Sequence, residues 1–276
     1  MKPHILLRAA LLAPLRCVYA LWVLLAFLAV SLGALLMMML LADLARRRAA
    51  ARAAARAFLR LAGMPVRLAF PERLPPGQCV VVCNHASYLD GIVLTAALPP
   101  RFAFVIKREM AAVPLAGALL RRLGSEFVER FDRGRGARDA RRVLRNASAG
   151  HSLVFFPEGT FTRQPGLLGF HTGAFACASR AGCPLVPAVV RGTRRALAPN
   201  RPLPLPGPVE LEILAPLSAR GDVPDDRAIA DLRDRARAAM LAALGEPDLT
   251  CCGDTDHPPG TAPARSARAS RPSRTP

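Results

Sequence analysis

The stretch VVVCNHASYLDG, residues 80–91, carries an uncharged, β-branched run straight into Asn84, His85, Ser87 and Asp90. A short apolar run closed by polar turn residues reads as a buried strand. A second run behaves alike: SLVFF, residues 152–156, delivers Pro157, Glu158, Gly159 and Thr160. Ligands of α/β sheets bind outside the carboxyl ends of strands, so these two clusters line one crevice if their strands share a sheet and a direction. Further strand-like runs stand at 102–106, 126–129, 184–190 and 209–214. Helix-like stretches at 111–123, 137–148, 171–181 and 225–244 fall between or after them. This alternation predicts an α/β fold, a sheet flanked by helices, over residues 63–246, without fixing the strand order.

His85 and Asp90 are five residues apart, so the intervening turn must bend to bring their side chains together. If it does, the carboxylate fixes one ring nitrogen and leaves the other to take a proton from a hydroxyl. The competing reading makes Asn84 or Ser87 a helix cap and leaves His85 in an exposed turn. Ser87 is the local candidate for a nucleophile, but it lacks the GxSxG elbow. In the second cluster Gly159 allows close backbone approach and Thr160 offers a hydroxyl. Cys79 and Cys83 beside His85 lack a second Cys or His pair, so they read as buried cysteines rather than zinc ligands, and no metal is expected. His151 and His171 read as structural.

The remainder of the chain bears on location. Residues 17–42 contain no charge over 26 positions, where about 20 suffice to cross a bilayer. A signal peptide would have a shorter apolar region and a small-residue cleavage site. Lys2, Arg8 and Arg16 precede the segment, while Arg46, Arg47, Arg48, Arg52, Arg56 and Arg60 follow it, which predicts that the body lies on the cytoplasmic side. The stretch ILLRAALLAPL, residues 5–15, is itself apolar enough to lie in the interface or form a hairpin with the main segment, so a single span and a monotopic anchor both stand. Arg48, Arg52, Arg56 and Arg60 recur every four residues and form a stripe suited to anionic headgroups or to solvent. Residues 1–62 are therefore expected to be an anchor with a basic juxtamembrane helix. Residues 247–276, rich in Pro, Ser, Thr and Arg, are expected to form a disordered tail.

The formal charge of +18, from 38 Lys plus Arg against 20 Asp plus Glu, calls for an anionic partner. No nucleic-acid module accompanies the arginines, and the aromatic content is low, so nucleic acid is not expected. The seven scattered cysteines form no disulfide framework.

NHASYLD resembles the NHxSxxD, or HX4D, motif of the glycerolipid acyltransferases related to 1-acyl-glycerol-3-phosphate acyltransferase, and FPEGTFTR resembles that family's FPEGT block. KREMAAVPLAG (107–117), GSEFVERFD (124–132) and PLVPAVVRGT (184–193) resemble three further blocks in the same order. The resemblance implies the acyltransferase fold and a membrane-anchored, bacterial-type O-acyltransferase at the inner membrane. It would move a fatty acyl group from acyl-CoA or acyl-carrier protein to a lysophospholipid, 1-acyl-sn-glycerol-3-phosphate first, with no cofactor. It makes His85 the general base and Asp90 its orienting partner. Arg130, Glu158, Gly159 and Thr160 would form the acceptor site, with Lys107 a further contact to phosphate or headgroup. Many lysophosphatidate-using members carry an arginine directly after FPEGT. Here that residue is Phe161, which leaves Arg163, or the run of seven arginines and two aspartates over 130–145, to replace it. Another acceptor such as a lyso-aminolipid, a membrane-bound thioester hydrolase and a non-catalytic lipid-binding protein remain as alternatives.

Overall fold

The computed structural model describes residues 3–129, 132–199, 203–220 and 225–250. Its elements in chain order are α1 (Pro3–Leu40), α2 (Leu44–Leu61), β1 (Val66–Ala69), β2 (Val80–Cys83), α3 (Asp90–Ala97), β3 (Phe102–Lys107), α4 (Ala116–Arg122), β4 (Glu126–Val128), α5 (Arg133–Ser148), β5 (Ser152–Phe155), α6 (Gly173–Arg180), β6 (Leu185–Arg191), α7 (Thr193–Ala196), β7 (Val209–Ile213) and α8 (Asp226–Leu244). The seven strands form one sheet in the order β1-β7-β6-β2-β5-β3-β4. Strands β6, β2, β5, β3 and β4 run parallel, β7 is antiparallel to β6, and β1 is parallel to β7.

Both faces of the central strands are covered, as their uninterrupted apolar runs require. Cys79, Val81 and Cys83 face the layer holding α1, α2 and α3, with Phe58, Leu59, Val93 and Leu94. Val80 and Val82 face the other layer, with Val143 of α5, Phe175 of α6 and Leu232 of α8. β1 escapes a sequence reading because its four residues, VRLA, bury little and have no flanking apolar run. The expected helix at 111–123 is a 3-10 turn over Arg108–Ala112 followed by α4, broken at Pro114 and Leu115, where φ is +59°.

At the amino end, α1 runs unbroken through Pro14. The stretch at 5–15 is thus neither a separate interfacial arm nor half of a hairpin. Leu- and Ala-rich sequence on both sides sustains the helix across the one hydrogen bond that proline removes. The hairpin partner of α1 is α2: the Tyr19 hydroxyl donates to Ala62 O at 2.6 Å, Trp22 Nε1 donates to Leu61 O at 3.0 Å, and Phe27 meets Phe58 edge to face. The segment Pro14–Leu40 is long and apolar enough to cross a membrane. Leu21, Leu24, Leu25, Leu28, Leu32 and Leu36 stand exposed along it.

The arginine stripe of α2 serves neither of the roles expected for it along most of its length. Arg52 and Arg56 donate to the carbonyls of Ala96 and Ala97, the last residues of α3, and Arg48 donates to Leu123 O and Arg101 O. Helix carboxyl ends leave carbonyls without intrahelical donors and carry partial negative charge, so they attract guanidinium groups. At the other terminus, residues 247–250 are placed rather than loose. Leu167 N donates to Pro247 O, Leu249 N donates to Leu167 O, and Asp248 pairs with Arg237. The remaining residues assigned to the tail, 251–276, lie outside the described residues.

Candidate functional site

β2 and β5 are direct neighbours, with Val82 opposite Phe155, so their two polar clusters emerge side by side at one edge of the sheet. The turn after β2 folds back on Asp90, the first residue of α3. His85 Nδ1 lies 2.8 Å from Asp90 Oδ2, and the same oxygen accepts from Ala86 N at 2.6 Å and Ser87 N at 2.8 Å. An oxygen receiving two backbone N–H groups acts as acceptor toward the ring as well, so Nδ1 carries the proton and Nε2 presents its lone pair. Asp90 is fully buried while His85 keeps 20% of its side chain exposed. Asp90 Oδ1 is buried without a partner.

Neither candidate helix cap fills that role as expected. Asn84 clamps β2 to β6 by donating to Val190 O and accepting from Val190 N. The Ser87 hydroxyl donates to Leu197 O at 2.6 Å and accepts from Leu89 N, so it is unavailable as a nucleophile. The carboxylate of Asp90 itself gathers the turn's amides.

Glu158 is 5% exposed, and both its oxygens are taken by backbone: Oε1 accepts from His85 N at 2.6 Å and Oε2 from Leu168 N at 2.9 Å. Burial pushes its pKa up to about 7, against the opposing pull of those two N–H groups and of Arg194. Its role in this geometry is a strut joining the His85 turn to the 157–170 loop. Gly159 follows at φ +74°, where a side chain would be strained, and its N–H donates to Phe156 O. Thr160 and Arg163 are exposed on that loop, and Lys107 is exposed at the carboxyl end of β3. The structure thus brings His85, Asp90, Glu158 and Gly159 together and leaves Thr160, Arg163 and Lys107 open to solvent. Arg130 lies outside the described residues.

Phe156, which opens the FPEGT block, Phe161, which follows it, and Tyr88 wall the His85 ring, and Arg194 joins them from outside both motifs. Phe156 stacks on the His85 ring at 4.3 Å between centroids, and Phe161 meets the ring edge-on at 4.4 Å with Tyr88 against it in turn at 4.9 Å. Arg194 donates to Thr162 O at 2.8 Å and Gln164 O at 2.6 Å and pairs with Glu246, which accepts from Gly166 N. It follows the apolar run of β6, so the rule that pointed to the first two clusters points to RGTRR (191–195) as a third. Gly192 permits that turn: it sits at φ +86°, and a Cβ there would lie 2.4 Å from Pro208 O.

An imidazole with one nitrogen fixed by a carboxylate and the other unpartnered can accept a proton from a hydroxyl or from water. Among the described residues no group of three or more His, Cys, Asp or Glu side chains is arranged to hold a metal.

Residues 65–191 match the family model described as Acyltransferase. The chain is 31% identical over 188 residues to human 1-acyl-sn-glycerol-3-phosphate acyltransferase alpha, covering 67% of this chain and 66% of that one. It is 28% identical over 203 residues to the 1-acyl-sn-glycerol-3-phosphate acyltransferase of Saccharomyces cerevisiae, covering 72% and 66%. The enzyme of that name from Haemophilus influenzae is 29% identical over 187 residues, covering 66% and 76%. The chain therefore spans just under two thirds of the human and yeast relatives. In fold it is similar to the crystal structure of the 1-acyl-sn-glycerophosphate (LPA) acyltransferase PlsC from Thermotoga maritima, with a TM-score of 0.68, 21% identity, and coverage of 84% of this chain and 94% of that one.

Proposed function

This chain belongs to the glycerolipid acyltransferase family, and from that premise we propose that it moves a fatty acyl group from acyl-CoA or acyl-carrier protein to the free hydroxyl of 1-acyl-sn-glycerol-3-phosphate, giving phosphatidic acid. The observation that carries the reading is the 2.8 Å contact between His85 Nδ1 and Asp90 Oδ2, with Nε2 facing no protein partner among the described residues. Nε2 takes the acceptor's hydroxyl proton as its oxygen attacks the thioester carbonyl. The new C–O bond forms, the C–S bond breaks on collapse of the tetrahedral intermediate, and the departing thiolate takes the proton back from His85, which releases a free thiol and restores the neutral imidazole. A thioester is already activated, so the step needs no metal, no prosthetic group and no covalent enzyme intermediate. A base placed in this way is worth about 10² to 10⁴ in rate.

Glu158 acts on this reading as a positioning residue, since both its oxygens are committed to backbone. Gly159, Thr160 and Arg163, with Lys107 and Arg130, supply the surface for the acceptor's glycerol phosphate. The Pro14–Leu40 segment holds the site at a bilayer where both acyl chains dissolve, and the arginines after it favour a cytoplasmic body. Phe161 favours a second reading in which the chemistry is kept and the acceptor is another lysolipid, such as a lyso-aminolipid, because an aromatic ring stands where a phosphate-binding cation would serve.

Full-length protein in lipid nanodiscs, given labelled acyl donor and a panel of lysolipids, tests both. His85→Ala should abolish transfer while leaving folding and membrane association intact; full activity in that variant would defeat the assignment of the base. Thiol release without any acceptor would instead mark a hydrolase.

A further inference from the structure

Between β5 and α6 the described residues form no helix or strand, so the loop from Pro157 to Phe170, which carries Glu158, Gly159, Thr160 and Arg163, takes its position from what its backbone bonds to. Much of that comes from a distant part of the chain. Helix α8 ends at Gly245, whose φ of +66° turns the chain back toward this loop, and residues 246–250 then run along it as a strap. Leu167 N donates to Pro247 O at 3.0 Å, Leu249 N donates to Leu167 O at 3.1 Å, and Leu167 and Asp248 form a parallel β-bridge. Leu249 also packs on Gly166, where a Cβ would collide with the leucine side chain.

Two charged clasps fix the strap, and they hold different parts of the loop. In the first, Glu246 accepts from Gly166 N at 2.7 Å and pairs with Arg194 at 3.2 Å, while Arg194 donates to Thr162 O and Gln164 O. These contacts bracket Arg163, on the part of the loop open to solvent. In the second, Asp248 accepts from both terminal nitrogens of Arg237 at 2.7 Å, and Arg237 donates onward to Leu167 O at 2.9 Å and Leu168 O at 3.2 Å. A bidentate pair of this kind fixes the plane of the guanidinium. Leu168 N in turn donates to Glu158 Oε2, and Glu158 Oε1 accepts from His85 N. A continuous series of hydrogen bonds therefore runs from Asp248 to the turn that carries the base.

We propose that the strap 246–250 divides control of acyl transfer between two positioning residues: Glu246, through Arg194, sets the acceptor-binding stretch 162–166, and Asp248, through Arg237, Leu168 and Glu158, sets the turn of His85. The inference rests on the acyl-transfer reading and assigns binding and chemistry to separate clasps. Both arginines stand on elements outside the HX4D and FPEGT motifs, Arg194 on α7 and Arg237 on α8. A misplacement of about 1 Å can cost about 10² in rate, and the backbone bonds between strap and Leu167 persist when one clasp is cut, so each clasp should carry an effect of about tenfold.

The test uses full-length protein in nanodiscs, a labelled acyl donor, and 1-acyl-sn-glycerol-3-phosphate and a lyso-aminolipid as acceptors, with amide hydrogen exchange measured on the same samples. Glu246→Ala should raise the acceptor KM about tenfold with kcat within about twofold of wild type, and should speed exchange at Gly166. Asp248→Ala should lower kcat about tenfold with acceptor KM within about twofold, and should speed exchange at Leu168 and His85. Glu246→Gln and Asp248→Asn keep part of each clasp and should shift the same quantities by less; they decide the test where an Ala variant does not fold. Wild-type kinetics in both variants overturns the proposal. So does the same mixture of KM and kcat loss in both, which is what a general loosening of the domain gives, or unchanged exchange at Leu168 and His85 in the Asp248 variants. A protein that transfers to neither acceptor yet shows the two separate exchange patterns would sink the acyl-transfer reading and leave the two clasps standing.

Discussion

Asp90→Asn separates two contributions that the geometry assigns to one side chain. Oδ2 collects three N–H groups, from Ala86, Ser87 and His85, while Oδ1 is buried with no partner. An asparagine satisfies those donors only with its carbonyl oxygen in the Oδ2 position, which sends its NH2 into the partnerless site. The buried amide then costs about 1–3 kcal/mol of stability. The His85 ring keeps its orientation and tautomer, because the amide oxygen still accepts from Nδ1. What disappears is the negative charge beside the imidazolium that forms during transfer. Unit charges about 4 Å apart interact by ~4 kcal/mol at an effective dielectric constant near 20, equivalent to about 10³ in rate. Asp90→Ala removes both charge and acceptor and should fall further, to the level of His85→Ala. Turnover by the variants in nanodiscs, with thermal unfolding as a control, should therefore rank wild type far above Asn and Asn above Ala. Wild-type turnover in the Asn variant would refute the development of charge on His85, and equal turnover in Asn and Ala would refute the orientation argument.

Glu158 makes stability depend on pH. Its carboxyl is held at about 7 in the fold against an ordinary value of 4.5, so its contribution is fully present below pH 4.5 and is lost as pH rises through 7, by on the order of 3 kcal/mol. Glu158→Gln does not titrate, so the stability difference, wild type minus variant, should decline across that window in unfolding experiments; a constant difference would contradict the buried carboxyl. Phe161→Ala opens the His85 ring edge to water, and the ratio of donor hydrolysis to transfer should rise on the order of tenfold. An unchanged ratio would show that the ring does not exclude water. Arg194→Ala releases the carbonyls of Thr162 and Gln164, so acceptor KM should rise by about tenfold with kcat nearly kept; a matched fall in kcat would place Arg194 closer to the chemistry than its contacts suggest.

The legible parts of the molecule were those in which a local pattern decides the outcome. Six of the strands were readable: β2, β5 and β6 because a strand buried on both faces leaves no polar alternation, β7 because VELEI alternates with every second residue buried, and β3 and β4 as short apolar runs. His85 and Asp90 were legible as a candidate pair, though not as a formed one. Whether a five-residue turn closes depends on the Ala86 and Ser87 amides finding a common acceptor, which spacing does not encode. Glu158 illustrates the opposite limit. Its residue type suggests ligand contact, yet both its oxygens are satisfied by amides 73 and 10 positions away. The role of Arg194 depends on Glu246 and on a loop thirty residues earlier, and its pairings are set by strand order, which the sequence reading could not supply.

The arginines of α2 show why anchor and site are one construction. A stripe of cations next to an apolar helix suggests lipid, because membrane surfaces are anionic. In the fold, Arg52 and Arg56 instead seize the carboxyl end of α3, whose opposite end is Asp90. Phe58 and Leu59 of the same helix pack in the core layer that contains Val93 and Leu94 of α3. Helix α3 is therefore gripped at its tail and along its side by α2, and α2 is in turn bonded to α1 through Tyr19 and Trp22. Eight residues of α-helix span only about 12 Å, so a displacement of the anchor relative to the sheet is passed with little loss to the carboxylate that orients His85. The apolar helix then does more than concentrate the protein at a lipid surface: the contacts that seat it on the domain also fix where the imidazole points.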